Sequence, residues 1–433
     1  MKKVHRFNIQ QSETPPDLGL LTSCGIYIIM TSTINVFFRN NSRLFSCLLF
    51  MGLIFCLLTP QSIANTNQKE IRLPEPVTES LQYILGLLET EHENEFTMTR
   101  LAPIIDFVNS RVKSWPVLYY AKDNFDAQSA YHEFDIDQGM ESILKYAYTR
   151  TIPSQAFTPS SIRLSYWKHF NGVDHGDSWS WNYPISEGHF QTVRGVQHEA
   201  TTPDASSWTY YSYDIDRLLI LSRYKNQHVF FSISSQKDKA PGKKAFALGD
   251  DNDWNYLYTR ENGVNKAGLG WVTPYMYSSF SITVYVEQPD KNLVKCAMFK
   301  WLNAGAANIN MVRKHHIQDG IKRFETGIKM VLENPHLPKP EELAEAFSQI
   351  GNLPMEDIKA EIDIYFQELK KRYSQEDIFK NKKLADFFTS RDYLDELTPE
   401  EMKSILNLEY LKTILKKDPI IPTNRRLSQL TDS

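Results

Sequence analysis

Between Ser278 and Pro335 two strand-like runs lead into one long amphipathic helix, and no other stretch constrains the fold as much. The runs are Phe280–Val286 and Leu293–Phe299, rich in β-branched and aromatic residues, with turn chemistry in Gln288-Pro-Asp-Lys-Asn292 between them. Ile317, Ile321, Phe324, Ile328, Val331 and Leu332 then recur at steps of three and four. That spacing predicts one apolar stripe on a helix from about Ile309 to Glu333, stopped by Asn334-Pro335. Such a helix has roughly 25 residues and is about 37 Å long, enough to cross a sheet. The sheet it needs is expected between Trp115 and Pro335.

The intervening sequence has the pattern of such a sheet. Ser129–Ile136, Ile162–Phe170, His189–His198, Trp208–Tyr213, Arg217–Tyr224, His228–Ser234, Lys244–Leu248, Asn255–Tyr258 and Leu269–Tyr275 read as strands, with Val117–Tyr120 before them. Asn171-Gly172, Thr202-Pro-Asp204 and Pro241-Gly242 mark turns, and consecutive hairpins imply antiparallel pairing. Asp137 is placed to cap a helix carrying Met140, Ile143, Leu144 and Ala147. Helices are also expected at Val77–Leu88 and Thr99–Val112, and after the core at Glu341–Ile350, Met355–Arg372, Gln375–Phe388 and Pro399–Leu415. The expected fold class is α+β: a curved antiparallel sheet gripping a long C-terminal helix, with extra N- and C-terminal helices. The divisions are a leader (1–64), an N-terminal linker and helices (65–114), the α+β core (115–335), a helical C-terminal region (336–421) and a polar, disordered tail (422–433).

The leader has the order of a secretory signal peptide. Arg39 and Arg43 precede the apolar run Leu44–Leu58, Thr59-Pro60 breaks it, and Ser62-Ile-Ala64 offers a small-x-small cleavage site. The run is shorter than a membrane span of about 20 residues. A periplasmic or secreted protein follows; the alternative is an uncleaved membrane anchor helped by Ile26–Phe38, and Met30 is a second possible start. Five basic and two acidic residues leave with the leader, taking the net charge from −4 to −7. A mildly acidic mature chain is unsuited to nucleic acid, and any membrane contact would be transient. Cys24, Cys47 and Cys56 also leave, so Cys296 alone remains and no internal disulfide can form. Cys296 sits in an apolar strand and reads as a buried hydrophobe.

The densest polar and aromatic cluster runs from Arg163 to His198, with His169, Asp174, His175, Asp177, Trp179, Trp181, Tyr183, Glu187 and His189. Their spacing matches no metal motif, and neither a metal nor another cofactor is expected. Trp179, Trp181, Tyr183, Trp208, Tyr210 and Tyr211 are either a platform for sugar rings or core residues. Asp250, Asp251 and Asp253 resemble a calcium loop only in part and read as an acidic hairpin turn. No G-x-S-x-G elbow or phosphate-cradling glycine loop occurs. Arg313, Lys314, His315 and His316 place a basic patch at the start of the long helix. These features do not decide whether the protein is an enzyme.

Ser129–Asp137 leading into Met140–Tyr148, followed by strands and Phe280–Glu333, resembles the START/Bet v 1-like helix-grip superfamily of lipid and hydrophobic-ligand carriers. The resemblance is topological and covers about a quarter of the mature chain. The insertion from Gln236 to about Tyr275 and the C-terminal helices depart from that fold. It implies an apolar cavity between sheet and helix, closed by Ile317, Ile321, Phe324 and Ile328, with Gly320 and Gly327 at its wall or at a close helix–sheet contact. The expected function is then an exported carrier of an apolar or lipid-like small molecule. Two alternatives stay open: an enzyme or binder acting on cell-envelope carbohydrate through Trp179, Trp181 and Trp208, and a structural or protein-interaction role with partners unspecified.

Overall fold

The computed structural model describes residues 70–89, 96–110, 118–120, 126–172, 180–203, 208–262, 265–266, 271–376, 379 and 393–421. The leader at 1–64, Trp179, most of the helix expected at Gln375–Phe388 and the tail at 422–433 lie outside them.

In chain order the first elements are strand β1 (Glu70–Arg72), helices α1 (Glu75–Gly86) and α2 (Met98–Ser110), and strands β2 (Leu118–Tyr120) and β3 (Gln128–Ile136). Helix α3 (Met140–Ala147) precedes β4 (Ile162–Gly172), β5 (Phe190–Thr201), β6 (Thr209–Tyr210), β7 (Ser212–Tyr224), β8 (Gln227–Gln236), β9 (Ala240–Pro241) and β10 (Lys243–Ala247). Then come β11 (Tyr256–Asn262), β12 (Asn265–Lys266), β13 (Trp271–Val272), β14 (Tyr275–Gln288), β15 (Leu293–Ala306) and β16 (Ile309–Asn310). The chain closes with α4 (Lys314–Leu332), α5 (Pro340–Gly351), α6 (Met355–Arg372), α7 (Tyr393–Glu396) and α8 (Pro399–Ile414).

The protein is α+β, as its strand pattern and long helix imply, and its centre is a nine-stranded sheet. The order runs β16-β15-β14-β8-β7-β5-β4, with β3 also on β15 and β9 on β14. Every pairing in it is antiparallel. A smaller sheet, β11-β10-β6, is built from the insertion between β8 and β14 together with β6.

Both faces of the large sheet are covered, which is why its central strands read as unbroken apolar runs. Val229, Phe230, Phe231 and Ile233 of β8 are all fully buried. Successive side chains point to opposite faces, so neighbours in sequence join different cores. Leu218, Ile220, Val229, Phe231, Ile282, Val284 and Phe299 share one core with Leu81 and Ile84 of α1 and Leu101, Ile104 and Ile105 of α2. Leu219, Leu221, Phe230, Tyr285 and Cys296 share the other with Ile143 of α3, Ile328 and Val331 of α4, and residues of α5, α6 and α8. Burial of Cys296 also pushes its thiol pKa well up, which suits a hydrophobe and not a nucleophile.

The long helix is shorter than its sequence pattern suggests. It has 19 residues and begins at Lys314, about 28 Å at 1.5 Å per residue. Ala307 and Asn308 both have positive φ, 52° and 61°, and Ala306 pairs with Ile309. That two-residue loop turns the chain into a hairpin, so Ile309 and Asn310 belong to a strand. α4 then runs beside the edge strand β3: His132 bonds Glu325 at 2.7 Å, and Lys329 donates to the Asp135 carbonyl at 2.7 Å. Asp137 does not cap α3. Gly139 takes the N-cap position, and the Asp137 N–H donates to Glu333 Oε1 at 2.9 Å, tying the far end of α4 to β3.

Candidate functional site

A cavity of about 50 Å3 lies between the chain leading into β4, the start of β11 and the C-terminal helices. Its apolar wall includes Ala156, Pro159, Tyr256, Tyr258, Phe366 and Leu408. Gln155, Arg163, Trp254 and Asn407 also line it, and each has one buried polar atom without a protein partner: Oε1, Nε, Nε1 and Oδ1. Two are donors and two are acceptors. Buried polar atoms are almost always satisfied, so unpaired atoms on four of the lining residues need water or a ligand.

The surrounding contacts explain how these side chains are held. Arg163 is buried; its guanidinium lies 3.7 Å from the centroid of the Tyr258 ring and bonds Glu401 at 3.1 Å. A guanidinium stacked on a ring keeps its edge donors free for other partners. Ser404 donates to the Arg163 carbonyl at 2.6 Å and accepts from Gln155 Nε2 at 3.3 Å, joining α8 to the β4 side of the cavity. Trp254 follows the turn Asp251–Asp253 and has φ 57°, a left-handed conformation for a bulky residue. Lys417 lies over its ring at 4.4 Å, and burial holds that ammonium's pKa below its usual value. Burial likewise raises the pKa values of Tyr256, Tyr258 and Tyr365, so these lining phenols stay neutral.

One end is pinned by a buried ion pair. Lys412 and Glu409 of α8 are almost fully buried and 2.7 Å apart. Lys412 also donates to Asn255 Oδ1 at 2.7 Å, and Glu409 Oε2 accepts the backbone N–H groups of Ile420 and Ile421. The pair therefore fastens the chain after α8 against the segment that presents Trp254 and Tyr256.

The residues expected to bind ligand are dispersed. Ile317 and Ile321 pack with Ala130 and Met298, Phe324 sits at the edge of that cluster, and Ile328 belongs to the large core. None of the four lines the cavity. Trp181 packs on Phe230 with ring centroids 5.2 Å apart and donates to the Tyr148 carbonyl at 2.7 Å. Trp208 is 44% exposed and tilts over Phe246. His198 bonds Asp214 and Ser212, at 2.8 and 2.9 Å, while His189 is exposed. Asp251 is engaged by Arg323, whose Nε lies 2.6 Å away, and accepts from Tyr256 at 2.8 Å. Among the described residues no three His, Cys, Asp or Glu side chains gather as a metal site.

The two glycines of α4 do different things. A Cβ at Gly327 would meet Ser160 Oγ at 2.5 Å, so Gly327 serves close packing, whereas at Gly320 it would meet nothing within 4 Å. Sequence reasoning missed Gln155, Ser404 and Asn407. The signal open to it was polar residues inside α8: Ser404, Glu409 and Lys412 are buried among Met402, Leu406 and Leu411. No protein-family model matches the chain, and no curated protein is similar to it in sequence.

Proposed function

We propose that this protein binds a compact, largely apolar small molecule in the cavity beside Arg163. The observation that carries the reading is that four residues lining one aromatic-walled cavity each carry an unpaired buried polar atom. Apolar walls with a few polar groups are the usual composition of a ligand site. At about 50 Å3 the space is well below the roughly 300–1,000 Å3 of drug-sized pockets. A small planar molecule with one donor and one acceptor, or the ring of a larger molecule, fits it better than a lipid chain. The helix-grip likeness and an exported location remain part of the proposal. The order of strands and long helix supports the first, and the Leu44–Ala64 pattern the second.

Native mass spectrometry of protein purified from its own cells, followed by thermal-shift assays with the compound recovered, tests the binding. A bound small molecule should raise the melting temperature of the parent. Its effect should disappear in Ala156→Leu, which narrows the cavity, and weaken in Asn407→Leu. If no compound co-purifies and Ala156→Leu simply raises the melting temperature, the cavity is a packing void and the proposal fails. N-terminal sequencing of the mature protein tests export: a start near Asn65 is expected, and an intact leader in a cytoplasmic pool overturns it.

A further inference from the structure

On the sheet face that α4 partly covers, the strand register sets a polar row beside the helix. Lys300 lies opposite Ser281, Ser281 opposite Ser234, and Ser234 opposite Arg217. With strands about 4.8 Å apart the row spans about 14 Å, and its side chains share one face. Arg217 is held by protein partners: it donates to Gln197 at 3.1 Å, to Ser232 at 2.8 Å and to Glu199 at 2.5 Å. Among the described residues, Lys300, Ser281 and Ser234 have no hydrogen-bond or ion-pair partner, and all three are half-buried.

The other strand beside Lys300 places it against the long helix. Lys300 is also opposite Ala130, which packs with Ile317 and Ile321 of α4. Beside the helix the sheet thus carries a cation and hydroxyl donors that protein groups leave unused. Burial holds the Lys300 pKa below its usual value, with Glu199 opposing and Arg217 reinforcing that shift. A half-buried cation without a counter-ion is unfavourable unless an anion joins it.

We propose that Lys300, with Ser281 and Ser234, forms a binding site for an oxyanion, the carboxylate or phosphate group of an anionic ligand. Charge-assisted bonds from an ammonium and neighbouring hydroxyls are the usual means of holding such groups. None of these residues lines the cavity beside Arg163, so each site can fail without the other.

The test is calorimetric titration of the full chain with inorganic phosphate, acetate and octanoate, against chloride at matched ionic strength. Saturable binding of at least one oxyanion is expected, weakened about tenfold or more in Lys300→Met, as loss of a charged hydrogen-bond partner implies. Lys300→Met should also melt at a higher temperature than the parent in chloride alone. Octanoate binding more tightly than acetate assigns the anion to a molecule with an apolar chain; equal binding, or phosphate alone, assigns it to a free small anion. No saturable binding, or equal binding by Lys300→Met, overturns the proposal. Ser281→Leu/Ser234→Leu removes both hydroxyls while leaving Lys300 in place, and undiminished binding by that variant overturns it too.

Discussion

The two faces of the sheet are built differently. The face under α1 and α2 is a dry core of Leu, Ile, Val and Phe side chains, including Leu81, Ile104, Ile220, Phe231 and Val284. The opposite face holds a larger apolar core but also Arg163 and the pair Lys412 and Glu409, all buried, together with Arg217 and Lys300. Apolar side chains pack in almost any order if volume is kept. Each buried charge instead demands particular partners, and where a partner is missing the structure offers a place for something else. The α1/α2 face is therefore a support, and candidate sites fall on the other.

The largest effects should separate the two kinds of core. Phe231→Ala on the dry face is expected to cost about 3–5 kcal/mol in urea denaturation, through a cavity that no single second substitution repairs. Lys412→Met should cost a similar amount, about 3–5 kcal/mol, by leaving the Glu409 carboxylate buried and unpaired. Adding Glu409→Gln should recover most of that loss, because the amide oxygen still accepts from Ile420 and Ile421. An unrescued double variant would show that the charged core is held by shape, as the dry one is.

A smaller contrast lies within α4. Gly320→Ala should stabilise by about 0.5–1 kcal/mol, the helix-propensity gain at an unobstructed site. Gly327→Ala should gain little, because the new methyl displaces Ser160 Oγ, which donates to the Arg323 carbonyl at 3.2 Å. Equal gains at both positions, measured by thermal denaturation, would remove the evidence for close contact at Gly327.

The smallest effect is expected at the rim of the dry face, where Asp214 pairs with Lys168 at 2.6 Å and His198 at 2.8 Å. Burial alone would raise the Asp214 pKa, but bonds from Lys168 and His198 outweigh it and hold the carboxyl below its usual value. The sign follows: the pair stabilises the fold above the unfolded carboxyl's pKa and loses that contribution as pH falls through the depressed folded value. Asp214→Asn should cost under about 1 kcal/mol at neutral pH, since the group is partly exposed. Its stability curve should converge with the parent's on acidification.

Much of the fold was legible. The hairpin of β14 and β15 follows from two β-rich runs around a Pro-Asp-Lys turn. α6 has the bounds its periodicity implies, Met355 to Arg372. Local pattern failed where a long-range contact decided the outcome. Ile309 reads as helix from its apolar neighbours, yet β15 captures it as a strand. Asp137 has the chemistry of a cap, but Glu333, distant in sequence, takes its N–H instead.

The sequence by itself determined most of the strands and helices, that the large sheet is antiparallel, and that one long helix must lie against it. These properties depend on side-chain periods of two and 3.6 and on turn residues, all read over a few neighbours. Only the tertiary structure decided that helices cover both faces and that a cavity lies beside Arg163. The same holds for Gln155, Arg163, Trp254 and Asn407, which meet around one space although more than 250 positions separate the first from the last. The reason is physical: which apolar face meets which is settled by the packing of the whole chain, and a polar atom is left without a partner only once every neighbour has been placed.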